Sequence, residues 1–96
     1  MAHTAGTQVK TEFGGKHAMV GVLVDAGTQT GTVEITGLST INSAVVTLAE
    51  APTAAAALVS VVGIDGNVVT VNEYTPQGTL NTETALDFYL TVIGEY

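Results

Sequence analysis

Apolar residues recur at every second position through most of this chain, a period that fits strands and leaves little room for amphipathic helices. Val20, Val22 and Val24 share one face of an extended segment, with Met19, Gly21 and Leu23 on the other. Asp25-Ala26-Gly27 supplies turn chemistry after it. Thr32-Val33-Glu34-Ile35-Thr36 alternates in the same way, with Val33 and Ile35 inward, and Gly37 stops it. Strand-length runs follow at Ala44 to Leu48, Val59 to Ile64, Val68 to Val71 and Leu86 to Ile93, where Leu86, Phe88, Leu90 and Val92 fall on one face and Gly94 closes the run.

The sharpest local signal is Asp65-Gly66-Asn67, set between Val61-Val62-Gly63-Ile64 and Val68-Val69-Thr70-Val71. Asp-Gly and Gly-Asn pairs tolerate the positive φ of a tight hairpin turn, so these runs are expected to form a β-hairpin. Residues 51 to 58 (APTAAAAL) read two ways: as a helical turn near 53–58, with Pro52 at the first helical position, or as a small-residue loop lying flat on a neighbour. Residues 75 to 85 read as a polar loop. The sum is an all-β domain of six or seven strands, an antiparallel β-sandwich or small barrel, because helical segments are too few to serve as crossovers.

The chain is 96 residues long, the size of one domain. Residues 1–16 are polar and glycine-containing and read as an extended N-terminal arm with a short strand around Gln8 to Phe13, Phe13 as anchor and Gly14-Gly15 as hinge; residues 17–96 read as a single β-sandwich. The opening residues carry no basic and then apolar stretch, so no secretion signal is expected. Nowhere does an apolar run approach the roughly 18 residues of a membrane-spanning helix.

Composition narrows the function. Nine acidic residues face two lysines and no arginine, for a net charge of −7, and cysteine and tryptophan are absent. This speaks against a disulfide scaffold, a thiol enzyme, a zinc–cysteine site and an arginine phosphate clamp. An acidic surface also repels nucleic acid. Only 11% of residues are charged, whereas about a quarter is usual for a soluble domain. Threonine can coat a solvent face in place of charge, or the chain can hide its neutral surface in an assembly. Several strands (Met19 to Val24, Val59 to Ile64, Phe88 to Ile93) are apolar on both faces, and a two-layer domain covers only one of them. Burial of the second face against other subunits is the expectation.

Chemistry-bearing residues are few. His3 and His17 lie fourteen residues apart without a carboxylate at ligand spacing, so surface histidines are expected and no metal. Asp65-Gly66-Asn67 lacks the alternating ligands of a calcium loop. Ser39, Ser43 and Ser60 sit in no nucleophile elbow. Glu34, Glu50, Glu73, Asp87 and Glu95 are expected on solvated strand faces and strand ends instead of forming a hydrolytic pair. The glycines form no phosphate-binding fingerprint. No catalytic, cofactor or metal residues are assigned, and no enzyme activity is expected. Tyr74, Tyr89 and Tyr96 remain, as rim residues or as groups that stack on sugars or partners.

Gly37-Leu38-Ser39-Thr40-Ile41 followed by Val45-Val46-Thr47-Leu48, then Val59 to Val71 around Asp65-Gly66-Asn67, then Leu86 to Gly94, together resemble small β modules of tailed-virus particles over roughly residues 31 to 94. The last strand of such modules often carries a tryptophan, where this chain has Phe88-Tyr89. The resemblance implies a virion structural protein on the capsid surface, assembled in the host cytoplasm: a head-decoration (cement) subunit, usually trimeric, whose partners are its own copies and the major capsid protein. The other form is a head or tail fibre tip that binds a host receptor or carbohydrate through tyrosines. The short chain without a shaft favours decoration. On this reading the arm reaches across neighbouring subunits, and deleting residues 1–16 weakens particle attachment while leaving the isolated fold intact.

Overall fold

The computed structural model describes residues 3–25, 30–51, 58–80 and 86–96. Eight strands follow in chain order: β1 (Thr4–Ala5), β2 (Val9–Glu12), β3 (His17–Asp25), β4 (Thr30–Glu34), β5 (Thr40–Leu48), β6 (Leu58–Asp65), β7 (Val68–Tyr74) and β8 (Phe88–Glu95). Every pairing is antiparallel. One sheet runs β1/β2–β3–β8–β5 and the other β4–β7–β6. Because β8 occupies one side of β3 throughout, β1 and β2 share the other side, one after the other. Between Ala5↔Val24 and Val9↔Gly21, three edge residues span two of β3, so β1 and β2 are one edge strand interrupted by an extra residue. The result is a seven-lane antiparallel β-sandwich of four lanes over three, as the alternation predicts.

The inner faces carry the alternating valines. Val20, Val22 and Val24 of β3 and Phe88, Leu90 and Val92 of β8 meet Val33 of β4, Ile35 just beyond it, and Val69 and Val71 of β7, all buried. Each such side chain contributes about 1.5–3 kcal/mol through removal from water. The hairpin at Asp65-Gly66-Asn67 forms as expected: Asp65 pairs with Val68 and Gly66 has φ 62°, with positive φ at the first turn position only, the pattern of a type II′ turn. The turn also holds the sandwich together. Ile35 N–H donates to the Asn67 carbonyl at 2.8 Å, Asn67 Nδ2 donates to the Ile35 carbonyl at 3.1 Å, and Ile41 N–H donates to the Gly66 carbonyl at 3.0 Å.

Several expectations need correction. The N-terminal segment is extended but is no separate arm: β1 and β2 complete an edge of the larger sheet, and His3 N–H donates to the Thr32 carbonyl beside β4 at 3.0 Å. Gly14-Gly15 is not a hinge; with Lys16 it makes the β2–β3 turn, all three at positive φ. Phe13 anchors nothing in the core, being exposed and stacked on His17. The run expected at Ala44 begins at Thr40. The last strand begins at Phe88, not Leu86, and passes through Gly94 to Glu95. Gly94 is needed there because a Cβ on it would lie 2.1 Å from the Thr40 carbonyl oxygen, so β5 and β8 can meet only over a bare backbone. The helical turn near 53–58 falls on residues outside those described, save Leu58, which opens β6.

Candidate functional site

The two outer faces of the sandwich differ in chemistry. On the four-lane sheet, β3, β8 and β5 align Met19, Ile93 and Ser43 in one row, Gly21, Thr91 and Val45 in the next, and Leu23, Tyr89 and Thr47 in a third. No charged residue interrupts these rows. Met19, Leu23, Val45, Tyr89 and Ile93 are all exposed, and Val9 of β2, 65% exposed, extends the face beside Gly21. The three-lane sheet instead aligns Thr30 with Asn72 and Ser60, Thr32 with Thr70 and Gly63, and Glu34 with Val68 and Asp65. Its outer surface is mainly hydroxyl, amide and carboxylate, with Leu58 and Val62 as exposed apolar residues at its β6 edge.

Gly21 shapes the apolar face. A Cβ there would meet nothing within 4 Å, so the missing side chain leaves a shallow groove of about 420 Å³. Thr7, Val9, Leu23, Tyr89 and Thr91 line it, over the backbone of Val22 and Leu90. Apolar walls with a few hydroxyls suit a protein surface that inserts a side chain, since only two threonines and one phenol offer side-chain hydrogen bonds. Period-two patterning predicted the second apolar face; the groove follows from a single glycine within it.

Tyr89 stands on this face, whereas Tyr74 stands on the other, its hydroxyl accepting from Asn72 Nδ2 at 3.2 Å. The two tyrosines therefore cannot share one stacking platform. Tyr96 lies at the end of the sandwich, donating its hydroxyl to Glu12 Oε1 at 3.0 Å, with Lys10 Nζ 4.8 Å from its ring centroid. That bond, aided by Lys10, holds the Glu12 carboxyl below its ordinary range, and the same bond, with burial and the Glu12 charge, holds the Tyr96 hydroxyl above its own.

The histidines are apart and differ in burial. His17 begins β3 beside the β2–β3 turn, and His3 sits beyond the other end of that strand. His3 is not the surface group expected: it is 6% exposed, its ring meets Phe88 edge-on at 5.2 Å, and its Nε2 lies 3.1 Å from the Val71 carbonyl oxygen. A carbonyl only accepts, so Nε2 carries the proton in that bond. Ser43 and Ser60 lie on opposite outer faces, while Ser39 donates from both its amide and its hydroxyl to the Glu95 carbonyl, at 2.7 and 3.2 Å. Among the described residues, no group of three or more His, Cys, Asp or Glu is placed to hold a metal ion.

One carboxylate overturns the expectation of solvated acids. Glu34 is exposed on β4, but Glu73 points into the core with no exposed surface. Its Oε1 accepts the Leu86 N–H at 2.7 Å, and its Oε2 has no hydrogen-bond partner among the described residues. Glu50 lies nearby, its Oε2 accepting the Asp87 N–H at 2.6 Å. Burial is the main force raising the Glu73 pKa; the Leu86 amide opposes it, and the charges of Asp87 and Glu50 add to it. The signal was present in Val69-x-Val71-x-Glu73, which places Glu73 in phase with the inward valines. Comparison with family models, curated proteins and solved structures finds no match to this chain.

Proposed function

We propose that this chain is a structural subunit of a viral particle, of the capsid-decoration type, which docks on the head lattice as a homo-oligomer and stabilises it. The observation that carries the reading is the middle of the outer face of the four-lane sheet, where three successive rows carry no charge between Glu95 at one end and Asp25 at the other, in a protein whose net charge is −7. Patches of exposed apolar side chains free of charge are what docking surfaces need, because their burial releases water without stranding an ion. The resemblance in strand pattern to tailed-virus β modules supplies the kind of particle. Support for attachment through the sheet face, and not through a reaching arm, comes from β1 and β2 being paired within their own subunit.

The test is co-sedimentation of the purified chain with tailed-virus heads stripped of decoration subunits. Leu23→Lys and Ile93→Lys, both on the apolar face, are expected to abolish occupancy. Thr32→Lys, on the hydroxyl face, is expected to leave it unchanged. Equal loss from all three, or no binding by the parent chain, overturns the reading.

A further inference from the structure

We infer that two copies of this chain pair through the free edge of β2, antiparallel and about a twofold axis at Thr11, joining the four-lane sheets of both into one continuous sheet. The inference takes up only the self-association in the proposed function and gives it an address, a different surface from the docking face.

Phe13 N–H donates to the His17 carbonyl at 3.1 Å, so the alternation of an antiparallel ladder directs the amides and carbonyls of Thr11 and Val9 at β3 as well. Lys10 and Glu12 therefore turn their amides and carbonyls outward. All four residues of β2 are exposed, so this edge is open to another strand.

Side-chain charge then selects the partner and the register. Only pairings that set outward residues opposite outward residues can hydrogen-bond. Shifting by two, Lys10 meets Lys10 of the second copy, or Glu12 meets Glu12, and like charges directly opposed repel. The register between these places Thr11 opposite Thr11, with Lys10 opposite Glu12 on both sides of the axis. Within one chain Lys10 Nζ already lies 3.3 Å from Glu12 Oε2, so the paired edges would form a closed square of alternating charges. The same register places Val9 opposite Phe13 on the apolar face, and these two side chains are 65% and 58% exposed. Charged side chains on an edge strand oppose pairing in general, but here they oppose every register except the one in which each Lys10 faces a Glu12 of the second copy. The only cations of the whole chain are Lys10 and Lys16, on this strand and its turn, so an acidic protein meets its own copy with least repulsion here.

The experiment uses the full chain alone, without particles, so its failure is distinct from failure of docking. Sedimentation velocity is expected to show a dimer. Lys10→Glu is expected to raise the dimer dissociation constant roughly tenfold or more, Glu12→Lys likewise, and an equimolar mixture of the two variants to restore dimers as heterodimers. The chain has no cysteine, so Thr11→Cys gives a clean second readout. It is expected to form a disulfide-linked dimer on mild oxidation, while Val45→Cys, away from the axis, is not. A monomer or a trimer in sedimentation, no rescue on mixing, or equal cross-linking of the two cysteine variants overturns the proposal.

Discussion

Glu73 on β7 accepts the Leu86 N–H at 2.7 Å from inside the core, so an acid in a chain with nine acids and two cations is held away from water with a single hydrogen bond among the described residues. Its pKa is raised in the folded state, chiefly by burial, and the folded state therefore binds the proton more tightly than the unfolded one. The sign follows. Below the ordinary carboxyl range Glu73 is protonated in both states and carries no penalty. As pH rises from that range through the raised value, the unfolded state ionises first and stability is lost. Urea unfolding between pH 4 and 8 should show stability falling with pH, and Glu73→Gln should make the fall shallower. The other acids contribute to both proteins, so the difference between the curves isolates Glu73. Parallel curves would show that the carboxyl ionises as freely inside as outside.

Gly94 tests the close approach of β5 and β8. A methyl group at this position would overlap the Thr40 carbonyl oxygen at 2.1 Å, and the obstacle is backbone, which cannot rotate aside. Gly94→Ala should destabilise the fold by about 3 kcal/mol or more, at the severe end for overpacking. The measurement is the urea midpoint. Gly78→Ala, in the open Thr75–Thr79 turn with φ 87°, is expected to show only the smaller strain of a left-handed residue, about 1 kcal/mol.

Particular residues show what could be read from the sequence. The valine alternation gave the strands and their inward faces, because period two fixes side-chain direction whatever the partner, and the Asp65-Gly66-Asn67 turn chemistry gave the hairpin. Strand ends were less legible: the run reads from Ala44, yet the approach of Gly94 lets β5 extend back to Thr40 through a bulge between Ile41 and Ser43. The N-terminal segment was half legible: the short strand expected around Gln8 to Phe13 forms as β2, but its pairing with β3 was missed. An edge strand is exposed on both faces, so Val9-Lys10-Thr11-Glu12 carries no buried stripe to distinguish it from a free arm. That Met19, Leu23, Tyr89 and Ile93 form a second apolar face was visible, but the same reading covered Val59 to Ile64, whose sheet turns mainly polar residues outward. The groove was not visible, since it depends on Val9 falling beside Gly21 across the β2–β3 ladder.

Lys16 holds φ 66° in the β2–β3 turn, the one residue other than glycine at positive φ among those described. The left-handed conformation costs a side-chain-bearing residue about 1–2 kcal/mol, offset in part by the greater freedom that glycine has when unfolded. Lys16→Gly should therefore stabilise the chain by about 0.5–1 kcal/mol, read as a higher urea midpoint at unchanged slope. The backbone role survives the change, since it is the Lys16 carbonyl that accepts the Tyr96 N–H at 2.9 Å. A lower midpoint would mean that the lysine side chain contributes more than its backbone strain costs.

His3 ties the N-terminal segment into the core, and its removal should be felt by the whole domain. The imidazole is buried, donates to the Val71 carbonyl, meets Phe88 edge-on at 5.2 Å, and is held from behind by the His3 amide bond to Thr32. His3→Ala leaves the Val71 carbonyl without this donor and opens a cavity against Phe88, so about 2–4 kcal/mol of stability should be lost. Deleting residues 1–16 goes further. It removes β1, β2 and the β2–β3 turn, exposes the edge of β3, and cuts away Gln8, whose side chain donates to the Glu34 carbonyl and accepts the Thr36 amide, each at 3.0 Å. The expectation that this deletion spares the isolated fold is therefore reversed. The truncated chain should lose protection from hydrogen exchange along β3 and β4, the two strands that the segment bridges. If β3 and β4 amides exchange in the truncated chain as slowly as in the parent, the segment is an appendage after all, and the stabilisation ascribed to His3 is wrong.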